Sequence, residues 1–340
     1  MTLHAEERAE RRAAPKPARI PSGDRPMYPS GEGLTHHWAS MGETTFVAGI
    51  WALYALHRIA GRRVFRALMW PVVLVHWLTR PALREASLGY LRRQQAANRL
   101  WPHEPNWRQG LQHVALFAET LLDKLLAMAG RYPADKVRMD GAEAVAQQAI
   151  SGGGGVLVTA HIGCLELCRA MAQRQPAFKL NVLVHTRHAQ AFNRILQRLQ
   201  PGAALNLIEV SEITVATAML LADKVAAGEF VAIAGDRVPL HGGRTVTVDF
   251  LGSPAPLPIG PYVLASLLKC PLHFLGCIHE GDGYAMHFEP LAEQVLLPRK
   301  QREQALAEHA ARYAECLARL LQRSPYDWFN FYRFWDPAHA

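Results

Sequence analysis

Two uncharged apolar stretches stand near the start of the chain, TTFVAGIWALYALH over 44–57 and ALMWPVVLVHWLT over 67–79. Arg58, Arg62, Arg63 and Arg66 separate them, and Arg80 and Arg84 follow. As helices they would reach only about 20 Å, short of the roughly 30 Å hydrocarbon core of a bilayer. The pattern predicts a hairpin lying in one leaflet, with Trp51, Trp70 and Trp77 at the interface and the arginines on anionic headgroups. The alternative is a buried helical hairpin with a solvated arginine face. Helical periodicity continues over 84–100 and 107–129.

Beyond residue 133, short apolar runs alternate with helical segments. Strands are expected at 156–160, 180–185, 205–210, 230–234, 246–251, 272–278 and 284–288. Helices are expected at 165–174, 191–199, 213–227, 262–268 and 301–322. The alternation predicts an α/β fold, with a central mixed, largely parallel sheet flanked by helices and preceded by an N-terminal membrane-associated helical hairpin. Three regions follow: a disordered tail over 1–33, an amphipathic helical region over 34–110 and an α/β domain over 111–340. Residues 1–33 mix Ala, Arg, Glu, Pro and Gly without apolar period and without the h-region of a secretory signal.

Composition sharpens this picture at two points. The net charge of +8 is concentrated, because residues 34–110 hold 10 Arg, no Lys and only Glu43, Glu85 and Glu104. Residues 111–340 hold 21 charges of each sign, so the α/β part is neutral. Arginines interleaved with long aliphatic runs suit an anionic lipid surface and not nucleic acid. The five cysteines, Cys164, Cys168, Cys270, Cys277 and Cys316, form no CxxC pair, which points to reduced thiols on the cytosolic side.

The candidate chemistry lies at strand ends. In SGGGGVLVTAHIGCLEL, His161 follows a buried strand, Gly163 permits a tight turn and Glu166 opens the next helix. Sites in open α/β sheets form at the carboxyl ends of strands, and a carboxylate on one imidazole nitrogen frees the other as a general base. The spacing alone is uninformative, since with 29 acidic residues in 340 chance supplies about one such pair; position after a strand and a glycine turn brings it level with the alternative, a satisfied structural histidine. Glycines 152–155 precede the strand and no Lys-Ser/Thr follows, so they are a connection and not a phosphate loop. No GxSxG elbow, HExxH pair or zinc spacing is present.

FVAIAGDR ends another strand with Asp236 and Arg237, candidates for substrate binding that would position the acceptor headgroup or the pocket, followed by a Pro/Gly-dense stretch expected to line a cleft. Arg187, after VLVHTR, is a further candidate for substrate binding, with a plain surface arginine as its alternative. The tail carries six aromatics in eight residues, Trp328 to Trp335, which either pack on the core or form an interfacial belt.

In order and spacing, RPALREASLGYLRR, AHIGCLE, AIAGDR, DFLGSPAPLPIG, PLHFLGCIHEGDGYAMHFEPL and SPYDWFNFYRFW resemble the lipid A biosynthesis (lauroyl/myristoyl) acyltransferases, of the lysophospholipid-acyltransferase superfamily. The resemblance runs from about Trp38 to Trp335. It implies a glycerolphosphate-acyltransferase-like fold, with His161 and Glu166 as the catalytic H-x4-D/E pair and Asp236 as the strand-end acid. It also implies a fatty acyl group moved from acyl carrier protein or CoA to a hydroxyl of a lipid A precursor, at the cytoplasmic face of the inner membrane. No metal or redox cofactor is implied. Cys164 and Leu165 depart from the Asn or aromatic residue usual before the acid. The rival readings are a membrane-associated glycosyltransferase, for which no nucleotide-diphosphate site is found, and a non-catalytic membrane adaptor.

Overall fold

The computed structural model describes residues 44–168, 178–184, 206–209, 214–237 and 243–336. The expected tail over 1–33, the helix at 191–199 and Arg187 lie outside the described residues.

The two apolar stretches fall in one element, α1 (Thr44–Thr79), which is broken at Gly61. There φ is 77° and ψ 175°, a conformation that glycine adopts without the steric penalty of a side chain. Past the break, Phe65, Met69, Val73 and Trp77 recur every four residues and are buried as one stripe. That stripe joins the same apolar cluster as α3 (Trp107–Met128). Asn106 begins α3 with a capping box: its side chain accepts from the Arg108 N–H, while Gln109 accepts from the Asn106 N–H. Between α1 and α3 runs α2 (Pro81–Asn98), with Pro81 opening the helix. Among the described residues, no helix is long and apolar enough to cross a membrane.

The arginine cluster is only partly surface. Arg62 gives two 2.8 Å hydrogen bonds to the buried Asp123 of α3, and Arg66 donates to Glu119 one turn earlier. Arg58, Arg63 and Arg80 are exposed.

The α/β part contains β1 (Val137–Asp140), α4 (Ala142–Ile150), β2 (Gly155–Thr159), β3 (Leu180–Val184) and β4 (Asn206–Glu209). It continues with α5 (Val215–Ala226), β5 (Phe230–Ala234), β6 (Thr245–Phe250), β7 (Ser253–Pro258) and α6 (Gly260–Leu268). β8 (Leu272–Glu280), β9 (Gly283–Ala292) and α7 (Arg302–Arg323) complete it. Seven strands form one sheet in the order β1-β9-β8-β2-β5-β3-β4. Every neighbouring pair is parallel except the β8–β9 hairpin.

β2 is buried along its whole length, as a central strand covered on both faces must be. Its alternation shows the two faces. Val156 and Val158 join the cluster containing α6 and α7, whereas Leu157 joins the one containing α1 and α3. On α7, Leu306, Ala310, Tyr313, Leu317 and Leu320 make one helical stripe on the sheet.

Three elements differ from expectation, β1, α4 and β7. β1 and α4 were not foreseen, being short and weakly periodic. The strand expected at 246–251 is β6, and the Pro-rich residues after it pair back on it as β7 in a regular hairpin, turning at Leu251 and Gly252 with positive φ at both. Pro254, Pro256 and Pro258 fall at alternate positions, so their missing N–H groups lie on the edge away from β6.

Candidate active site

Register brings the central residues together. β2 and β5 pair with Thr159 opposite Ala234, which aligns His161 with Asp236 two residues beyond the strand ends. Neighbouring strands are about 4.8 Å apart, so side chains at matched positions meet. The Asp236 carboxylate accepts the His161 backbone N–H on Oδ2 and His161 Nδ1 lies against Oδ1, each at 2.8 Å. A carboxylate at Nδ1 fixes the ring with its proton there and leaves Nε2 as the basic nitrogen.

Asp236 is fully buried and held by further donors. The Trp328 indole N–H donates to Oδ2 at 2.9 Å and the Asn330 amide donates to the same atom at 3.0 Å. Arg237 extends the cluster, with Nε donating to Asn330 Oδ1 at 3.0 Å. Burial alone would raise the Asp236 carboxyl. The His161 ring and N–H together with the Arg237 charge outweigh it, and the group sits at about 2. For His161, burial and the Arg237 and Lys124 cations push the imidazole below its ordinary value, against the pull of Asp236. The ring is thus neutral near pH 7 beside an ionised carboxylate. About 35% of its side chain remains accessible.

The tail over 327–335 makes the site, and its aromatic density is explained by burial. Trp328, Phe329, Phe331 and Phe334 are all buried, so these rings are core and not an interfacial belt. Trp328 bridges to Ile162, and the Phe329 N–H donates to the His161 carbonyl at 2.9 Å. From α3, the buried His113 lies between Ser87 Oγ and the Trp328 carbonyl, each at 2.9 Å.

Glu166 stands elsewhere than expected. The partner on His161 Nδ1 is Asp236, whereas Glu166 Oε1 lies 3.3 Å from Lys124 Nζ of α3. The cause is local. Gly163, with φ of 49°, turns the chain so closely over β8 that a Cβ there would collide with the Cys277 carbonyl. The following helical turn, which Glu166 begins, then faces α3. Two backbone N–H groups at this turn are already committed, His161 to Asp236 and Gly163 to the Asp327 carbonyl.

Trp328, Asn330 and Lys124 escaped the sequence reading as site residues. The tail signalled itself by aromatic density, but nothing in the sequence ties Asn330 or Lys124 to a strand end far away in the chain. Among the described residues, no group of three or more His, Cys, Asp or Glu stands close enough to hold a metal ion. The five cysteines are free and buried, and burial raises each thiol above its ordinary value, the mark of unreactive sulfur.

The fold is a layered α/β sheet with a carboxylate-bound histidine at the carboxyl end of its central strand, the edge where sites of open sheets form. The chain belongs to the bacterial lipid A biosynthesis acyltransferase family, whose model matches residues 110–336. It is therefore an acyltransferase. No curated protein matches it.

Proposed function

We propose that this acyltransferase moves a fatty acyl group from an acyl carrier protein or CoA thioester to a hydroxyl of a lipid A precursor, with His161 as general base. The observation that carries the mechanism is the 2.8 Å contact between His161 Nδ1 and Asp236 Oδ1, which leaves Nε2 to take a proton. Nε2 removes the hydroxyl proton as the acceptor oxygen attacks the thioester carbonyl carbon. The C–S bond then breaks, and the departing thiolate takes the proton back from the imidazolium. Base catalysis of this kind contributes about 10²–10⁴ in rate. Asp236, and not Glu166, orients the ring in this scheme. Glu166 holds the Lys124 ammonium near the site, where Lys124 and Arg237 supply positive potential as the carbonyl oxygen gains charge. No metal or redox group enters, because the thioester is already activated.

The proposed seat is the cytoplasmic face of the inner membrane. The side of α1 opposite its buried stripe exposes Val64, Leu68, Val75 and Leu78, an apolar helix face that a leaflet would cover. Exposed Arg58, Arg63 and Arg80 suit its anionic headgroups.

The test is transfer from labelled acyl carrier protein or acyl-CoA to bacterial lipid, comparing the full chain with His161→Ala. Labelled lipid A precursor with the first and at least a hundredfold loss with the second are expected. Transfer surviving in His161→Ala would overturn the assignment of the base.

A further inference from the structure

The segment that closes the site is itself gripped by a second histidine–aspartate pair. His279, near the end of β8, gives its backbone N–H to Asp327 Oδ2 and sets Nδ1 against Oδ1, both at 2.6 Å. His161 holds Asp236 with the same two atoms at 2.8 Å each. Both aspartates are fully buried.

The two pairs meet across one strand boundary. β2 and β8 align Thr159 with Leu275, and past the end of β2 Gly163 packs on the backbone of Cys277 and Ile278, just before His279. Asp327 lies over that junction, its carbonyl accepting the Gly163 N–H at 3.0 Å. The next residue is Trp328, and Asn330 follows two further on; both donate to Asp236 Oδ2. The other His279 nitrogen, Nε2, is buried and the ring packs on Tyr284 with centroids 4.1 Å apart. His279 is thus linked to the Asp236 cluster through Asp327 and the tail residues Trp328 and Asn330.

We propose that His279 and Asp327 are positioning residues for the reaction: they hold the tail so that Trp328 and Asn330 keep their donors on Asp236, and through Asp236 they set how firmly His161 holds its proton. This rests on the reading of His161 as the base. Two N–H donors on Oδ2 draw charge from the carboxylate. If they are withdrawn, more negative charge faces the imidazole and its protonated form is favoured. The charged groups about His161 are Asp236 and Arg237 after β5, Lys124 of α3 with its partner Glu166, and none is altered by changing His279.

The test uses the full chain with His279→Gln, which keeps the backbone N–H grip on Asp327 and loses the ring. Two readings are taken: kcat and KM for acyl transfer, and the His161 titration by ¹⁵N-histidine NMR, its signal assigned by its loss in His161→Ala. The expected result is a kcat lower by about tenfold with KM little changed, and a His161 titration raised by about half a pH unit. A loss of rate that only tracks the folded fraction, with the titration unmoved, would reduce the pair to a structural brace and overturn the proposal. So would wild-type kcat in a folded variant. Should His279→Gln not fold, His279→Asn is read in the same way and against the same outcomes. The titration needs no turnover. A wild-type chain that transfers no acyl group therefore defeats the functional reading, while the NMR still decides the positioning one.

Discussion

Asp236 and Glu166 are the two carboxylates whose roles the residue scale separates. Asp236 is fully buried, touches the imidazole and has three side-chain or backbone N–H donors besides. Glu166 is partly exposed and bound to an ammonium. Asp236→Asn should therefore cost about 10²–10⁴ in kcat/KM, because the ring loses both its orientation and the charge that steadies the imidazolium. The acid limb of the pH–rate profile should also move down, since losing that carboxylate makes His161 harder to protonate. Glu166→Gln should displace the limb less than Asp236→Asn does. A larger displacement in Glu166→Gln would return the orienting role to Glu166. The wild-type limb itself should fall below the 6.5 of an unperturbed histidine.

At the scale of elements, the outer face of α1 and its inner stripe make opposite predictions. Leu68 is 51% and Leu78 64% exposed, whereas Met69 is buried. Changing Leu68 and Leu78 to Glu should leave thermal stability nearly unchanged yet weaken sedimentation with anionic vesicles by about tenfold or more. Each apolar side chain withdrawn from lipid forfeits on the order of 1.5–3 kcal/mol. Unchanged vesicle binding would remove α1 from the membrane contact.

Elements are also where the sequence was most legible. The 3.6-residue stripe of α7 and the buried runs of β2, β5 and β8 announced their types, because an element covered on one or two faces must repeat its apolar residues in step. β7 was not legible, since Ser-Pro-Ala-Pro-Leu-Pro reads as a loop until it is known to pair on one edge only. The single α1 element was likewise masked by its arginines. Arg62 looks like a surface charge until the buried Asp123 appears across from it.

At the scale of the whole molecule, the tail, α2 and α3 close on one buried imidazole. His113 joins Ser87 of α2 to the Trp328 carbonyl, and burial lowers it to about 4. In the unfolded chain it titrates near 6.5. Its folded value is depressed, so below 6.5 the unfolded state binds the extra proton and stability falls with pH until about 4. The His113 contribution to that fall is about 1.4 kcal/mol per pH unit within the window. Urea denaturation at pH 7 and pH 4.5 should show a smaller loss in His113→Gln than in the wild type. An identical loss in both would place the acid sensitivity elsewhere.

The sequence by itself determined the layered α/β plan, the strand-end position of His161 and the acyltransferase resemblance, because burial periodicity and glycine turns are local properties of the chain. Only the tertiary structure decided which carboxylate serves the histidine. Asp236 is 75 residues from His161 in the chain and Asn330 is 94 from Asp236. Glu166 is near His161 in sequence but is carried toward α3 by the turn at Gly163. Sequence distance carries no record of strand register, and register is what sets His161 against Asp236 and lays the tail across both.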